Sequence, residues 1–173
     1  MPLTIEDVAT RLSTQLNISL SLEPNSPAPL IIIPADLLRD ASKFLRDDDA
    51  LRFESLNCIT GVERAGAYEI VITLYSATIP LMLNLKVKAT GEDPAIPSVT
   101  DIWPAADWHE REVFDMFGIR FEGHYDHRRI LCADDWEGFP LRKDYQPPLF
   151  FHNIPVTVNV PGGLQIPLTR IAK

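Results

Sequence analysis

Residues 1–100 predict an α+β fold, with helices packed on a mostly antiparallel sheet. Three observations carry this. Apolar residues recur at helical spacing in two early segments. The period then changes to two over three later segments. The turns between those segments are short and contain glycine, which suits hairpins better than long crossovers.

The first helix starts at Thr4, an N-cap residue followed by Glu6 and Asp7, whose carboxylates suit the positive end of a helix. Ile5, Val8, Ala9, Leu12 and Leu16 form its apolar stripe, and it is expected to run to about Gln15. The proline-rich EPNSPAPL (23–30) ends it, and Ile31 to Ile33 reads as a short buried strand. Pro34 opens a second helix with Leu37, Leu38, Ala41, Phe44 and Leu45 on one face. LRFESLNCITGV, AYEIVITLYS and LMLNLKVKA then read as strands, with Gly61 and Gly66 as turn residues. In the last strand, Leu81, Leu83, Leu85 and Val87 alternate with Met82, Asn84, Lys86 and Lys88, giving one buried and one wetter face.

The composition is that of a globular chain, 46% hydrophobic and 23% charged over 173 residues. A net charge of −8 argues against nucleic-acid binding. Cys58 and Cys132 form no CxxC and read as two reduced thiols in a cytoplasmic protein. The N-terminus MPLTIEDVAT lacks a secretory pattern, and no stretch reaches the ~20 apolar residues of a spanning helix.

After residue 100 the chain changes character. Residues 101–145 hold 17 charged residues in 45 positions, whereas 146–173 has five prolines and two charges. The organisation expected is therefore an α+β domain (1–100), a charged helix–loop docking segment (101–145) and an extended C-terminal arm (146–173). In the middle segment, Pro104 and Gly118 bracket a helix. Asp107, Arg111 and Asp115 fall on one acid–base–acid stripe, with Val113, Phe114 and Phe117 apolar and Trp108 packing beside them. Exposed pairs of this kind contribute only ~0.3–0.5 kcal/mol each. The stripe therefore suits a boundary between packed bodies, where charge pairs set register.

Catalytic alternatives find little material. His124 and His127, with Asp115, could begin a metal-dependent hydrolase site, but no HExxH is present. Asp134-Asp135 or Glu110/Glu112 could be nominated as acid–base pairs. Adjacent positions point apart, however, and the nearby arginines are expected to keep the carboxylates ionised. Nucleophile-elbow, P-loop and Rossmann patterns are absent, and two cysteines are too few for an iron–sulfur cluster. The residues alone point to a protein without catalytic, cofactor or metal residues of its own.

EREVFDMFGIRFEGHYDHRRIL followed by DDWEGFPLRKDY resembles the signature of the 30-kDa-type subunit family of NADH-quinone oxidoreductase, respiratory complex I. The likeness covers roughly 97–145 and rests on Glu110, Arg111, Glu112, Asp115, Gly118, His124, Arg128, Arg129, Asp134, Asp135, Trp136, Gly138 and Pro140 to Tyr145. It implies a non-catalytic subunit of the peripheral arm, on the cytoplasmic side of the bacterial inner membrane and attached to it only through the complex. Its neighbours would be the large quinone-site subunit and cluster-bearing subunits. NADH, FMN, iron–sulfur clusters and quinone would belong to the assembled complex and none to this chain. Glu110, Arg111, Glu112, Asp115, Arg128, Arg129, Arg142, Lys143, Asp144 and Tyr145 would then fix orientation against neighbours. Tyr125 and His127 stand where the family usually has proline and an aliphatic residue. The equivalent subunit of a membrane-bound hydrogenase or other-donor dehydrogenase fits the same signature.

Overall fold

The computed structural model describes residues 3–23, 28–64 and 66–156. Its order is α1 (Ile5–Leu16), β1 (Ser21–Leu22), β2 (Leu30–Ile33), a 3-10 turn at Ala35–Leu37, α2 (Leu38–Asp47), β3 (Ser55–Arg64), β4 (Ala67–Ser76) and β5 (Leu81–Ala89). Then follow β6 (Ala95–Pro97), α3 (Ala106–Phe117), β7 (Arg120–Glu122), β8 (Phe150–Phe151) and β9 (Ile154–Pro155).

The α1 start forms as its residues dictate. Thr4 Oγ1 accepts from the Asp7 N–H at 3.3 Å, and Asp7 Oδ2 accepts from the Thr4 N–H at 2.9 Å, a reciprocal capping box. At the other end Asn17 takes a left-handed conformation, φ 53°. Helix α2 begins later than Pro34 suggests, because the first turn after the proline is a 3-10 turn.

Five strands pair in the order β1-β2-β5-β4-β3. The β3–β4–β5 meander is antiparallel, while β2 joins β5 in parallel through the crossover made by α2. β4 and β5 coincide with the alternating segments. β3 instead starts at Ser55, because Leu51 and Phe53 lie buried in the turn that precedes it. The core stacks Val8 and Leu12 of α1 and Leu38, Ala41 and Leu45 of α2 against Ile70, Ile72, Leu83, Leu85 and Val87. Each Val, Leu or Ile side chain among these contributes roughly 1.5–3 kcal/mol on burial.

Three expectations need correction. Lys86 is not on a wet face: it is buried, ion-paired to Glu23 and 3.7 Å from Glu69, so opposite charge satisfies it there. Gly61 is not a turn residue. It sits within β3, where a Cβ would lie 2.9 Å from Phe117 Cδ2 and 3.1 Å from Val113 Cγ1, so its missing side chain is what lets α3 approach the sheet. Finally, the change in composition near residue 100 is not a core boundary. Ile102, Trp103, Ala106, Val113, Ile119 and Phe121 belong to the same core as the sheet, and Trp103 Nε1 donates to Phe53 O at 3.0 Å.

The short pairs β6–β7 (parallel) and β8–β9 (antiparallel) are additions that the alternation of residues does not announce. Within the proposed arm, residues 146–156 contain the β8–β9 hairpin, with His152 and Asn153 at positive φ. Residues 157–173 lie outside the described residues. Cys58 and Cys132 are not bridged.

Candidate functional site

The charged segment is built around α3, which ends where Gly118 adopts φ 71° and its N–H reaches Phe114 O at 2.7 Å. A Cβ at Gly118 would also strike the Phe139 ring, so the position demands glycine twice over. The last carbonyls of α3 are capped by residues far along the chain. The Leu141 N–H donates to Met116 O at 3.0 Å and Arg142 Nε to Phe117 O at 2.6 Å. The Arg142 guanidinium lies between the rings of Tyr68 and Phe139, at 5.2 and 4.6 Å.

The acid–base–acid stripe does not pair along the helix. Asp107, Arg111 and Asp115 each reach across to the following loop instead. Asp115 is fully buried and its Oδ2 accepts three consecutive backbone N–H groups, from Ile130 (3.0 Å), Leu131 (2.6 Å) and Cys132 (2.9 Å). Its Oδ1 accepts from Arg129 Nη1 at 2.7 Å, and Arg129 also donates to Trp136 O and Gly138 O. Burial alone would raise the Asp115 pKa. The N–H bonds from Cys132 and Leu131, with Arg129 and Ile130, outweigh it and hold the carboxyl below its usual value. Arg111 donates from Nε to Arg128 O at 3.2 Å and faces Asp126 at 3.6 Å, with Trp108 stacked against its guanidinium at 4.9 Å. Asp107 takes the Tyr125 hydroxyl at 2.5 Å and lies 3.2 Å from His124 Nε2.

Glu110 is different again. It faces the core with Ala106 and Val113, and its Oε1 accepts from the Val99 N–H at 2.8 Å. Among the described residues its Oε2 has no hydrogen-bond partner. Burial raises its pKa to about 7, against the opposing pull of Val99 and Ser98 and with help from Asp107 and Asp101. The expectation that arginines keep these carboxylates ionised therefore fails at Glu110, where burial dominates, while Arg111 is engaged with the loop. The signal was available: positions 106, 110, 113 and 117 share one helical stripe, and Glu110 is its only polar member.

The nominated residues thus divide in two. Arg111, Asp115, His124 and Arg129 are turned into the chain's own interior and hold the loop, while Glu110 is buried against Val99. Trp136 joins them: its Nε1 donates to the Tyr145 hydroxyl at 3.0 Å while its ring packs on Phe151 at 4.9 Å. Glu112, Arg128, Asp134, Asp135, Lys143 and Asp144 stay exposed. Trp108 packs on Arg111 and is still 63% exposed, and Tyr125 is 76% exposed; Leu131, Leu141, Leu149 and Ile154 are exposed as well. A set of large apolar side chains therefore stands outward on a scaffold fixed by buried charges.

The catalytic pairings do not assemble. His124 and His127 spend ring nitrogens on backbone N–H groups, while Asp115 is saturated by Arg129 and three amides. Glu110 and Glu112 lie on opposite faces of α3, one buried and one exposed. Asp135 contacts His152 at 2.7 Å, and both are exposed. No helix among the described residues is long and apolar enough to cross a membrane.

Comparison with known proteins adds to this geometry. The family model described as respiratory-chain NADH dehydrogenase, 30 kDa subunit, matches residues 31–149. A NADH-quinone oxidoreductase subunit of Chloroherpeton thalassium is 50% identical over 65% of this chain, a match spanning 48% of that protein. The corresponding NADH-quinone oxidoreductase subunit of Chlorobium phaeobacteroides is 41% identical over 79% of this chain and 84% of its own length. Among solved structures, a trypsin-resistant fragment of Nqo5 is similar at 27% identity and TM-score 0.58, covering 70% of this chain and 98% of the fragment. A chain of an archaeal respiratory membrane complex, the membrane-bound sulfane sulfur reductase, is similar at 26% identity and TM-score 0.69. That likeness covers 82% of this chain and 85% of the other.

Proposed function

The chain belongs to the 30 kDa subunit family of respiratory-chain NADH dehydrogenase, and from that premise we propose that it is a non-catalytic structural subunit of the peripheral arm of proton-translocating NADH:quinone oxidoreductase. In this role it supports electron transfer from NADH to quinone without performing any step of it. NADH, FMN, iron–sulfur clusters and quinone belong to other subunits of the assembled complex. The chain docks beside the large quinone-site subunit and cluster-bearing subunits, on the cytoplasmic side of the inner membrane, and meets that membrane only through the complex.

One observation carries this reading. The signature's buried charges hold the loop after α3 in one shape, with Asp115 and Arg129 at its centre, while Trp108, Leu131 and Leu141 face outward. Preformed apolar anchors on a rigid base are what a docking element needs, because little ordering remains to be done on association. Exposed Glu112, Arg128, Asp134, Asp135, Lys143 and Asp144 would form the polar rim that sets orientation.

The likeness to the sulfane sulfur reductase chain favours a second reading, the equivalent subunit of a related membrane complex with different redox chemistry. One experiment addresses both. The tagged chain is recovered from membranes solubilised in mild detergent, and the complex captured with it is assayed for NADH oxidation. A large complex that contains flavin and clusters and oxidises NADH is expected. Capture of a membrane complex without NADH oxidation selects the second reading, and recovery of the chain alone from the cytosol overturns both.

A further inference from the structure

The loop between β7 and the Asp115 hub is held by two imidazoles used in an uncommon way. His124 Nδ1 accepts the Asp126 N–H at 3.0 Å, while its Nε2 faces Asp107, 3.3 Å from the carbonyl and 3.2 Å from the carboxylate. His127 Nε2 accepts the Phe121 N–H at 3.1 Å, and its ring lies against Phe114 at 4.2 Å. A neutral imidazole has one donor and one acceptor nitrogen. These partners therefore assign the tautomers, with hydrogen on Nε2 of His124 and on Nδ1 of His127.

A protonated imidazole has only donors. A proton added to either ring would set an N–H against a backbone N–H, turning a bond into a repulsion. The two rings are also only 5.6 Å apart, so a second imidazolium would repel the first. What these bonds hold matters. The loop supplies Arg128 O and Asp126 to the buried Arg111, and displays Tyr125 stacked on His124 at 5.3 Å.

We propose that residues 121–129 form a proton-operated clasp: uptake of a proton by His127 releases the amide of Phe121 and loosens the loop. The groups facing the pair are Asp107 and Arg111 from α3, Arg120 from β7, and Tyr125, Asp126 and Arg128 from the loop itself. For His127 the balance favours the neutral, closed form at neutrality. Burial lowers its pKa, and the charges of His124 and Arg120 act in the same direction. A lowered folded-state value means that the clasp's contribution is present above the unfolded pKa and is lost as pH falls through the folded one. The device does not depend on which complex the chain joins.

Amide hydrogen exchange of the 173-residue chain, followed by NMR from about pH 7.5 to about pH 5 and corrected for intrinsic exchange, tests this across the range where histidines titrate. Protection at Phe121 is expected to fall on acidification by about tenfold per pH unit once His127 begins to load, the slope of one bound proton. The amide of Ile72 in β4 should stay protected. In His127→Gln, whose side-chain carbonyl can still accept, the Phe121 step should vanish. Should His127→Gln fail to fold, the pH profile of Phe121 protection in the wild type decides alone. Flat protection in the folded wild type, an unchanged Phe121 step in His127→Gln, or simultaneous loss at Ile72 would each overturn the proposal.

Discussion

The sheet with α1 and α2 and the bracket formed by α3 with its loop share one core but are held by different forces. In the first, Leu83, Leu85, Ile70 and Ile72 pack under Leu12 and Leu38, and a buried charge such as Lys86 is exceptional. In the second, Asp115, Arg129, Arg111 and Arg142 hold together backbone segments that have little apolar reason to meet. Apolar packing is non-directional and tolerates repacking, whereas a buried carboxylate with three amide partners admits a single arrangement. The contrast teaches that the sheet supplies stability and the bracket supplies shape, at the place where a docking surface needs shape.

The sharpest way to break this comparison is Asp115→Ala. It leaves three amides and Arg129 without their acceptor, so a loss of about 3–5 kcal/mol in urea unfolding is expected. That is comparable with the ~2–5 kcal/mol expected of Leu85→Ala in the sheet core. A loss below about 1 kcal/mol would mean that the loop holds its shape without the hub.

Next in size is a pH effect that belongs to Glu110. Its folded pKa of about 7 lies above the unfolded value of 4.5, so the folded state holds the extra proton between them. The contribution is therefore full below the unfolded value and is lost as pH rises through about 7, amounting to roughly 3 kcal/mol over the whole range. Measured as the difference between wild type and Glu110→Gln at each pH, stability should converge at acid pH and favour the glutamine above neutrality. A difference independent of pH would show that Glu110 is not the titrating group. The smallest effect is expected of Glu112→Ala, on the exposed face of α3. Its unfolding free energy should stay within about 0.5 kcal/mol of wild type. Recovery of the chain with its membrane complex should nevertheless fall. A stability loss as large as that of Asp115→Ala would erase the division between hub and rim.

Periodicity made the first region readable. The Thr4 cap, the stripe through Leu12, the strands at 67–76 and 81–89, and the helix stop at Gly118 all follow from local rules, and each is found where those rules place it. The bracket was legible in its membership but not in its wiring. Spacing offered Arg111 two partners on its own helix, and the fold assigned it Asp126 and Arg128 O instead. Gly61 looked like a turn because only the approach of α3 reveals why a side chain is excluded there. The bulk of Trp108 is visible in the sequence, but not that it stands 63% exposed over Arg111. Glu110 could have been found as the one polar residue on an apolar stripe, yet its raised pKa comes from a burial that only the folded chain creates.

The sequence by itself determined the helices α1, α2 and α3, the long strands of the meander and the family signature, because these depend on side-chain volume, polarity and spacing along one chain. Tertiary structure alone decided which charge meets which amide, that β2 joins β5 in parallel, and that two histidines close a loop. The physical reason is range. Burial acts on each residue whatever its neighbour, whereas a hydrogen bond is made or lost within an ångström, and only the folded backbone sets that distance.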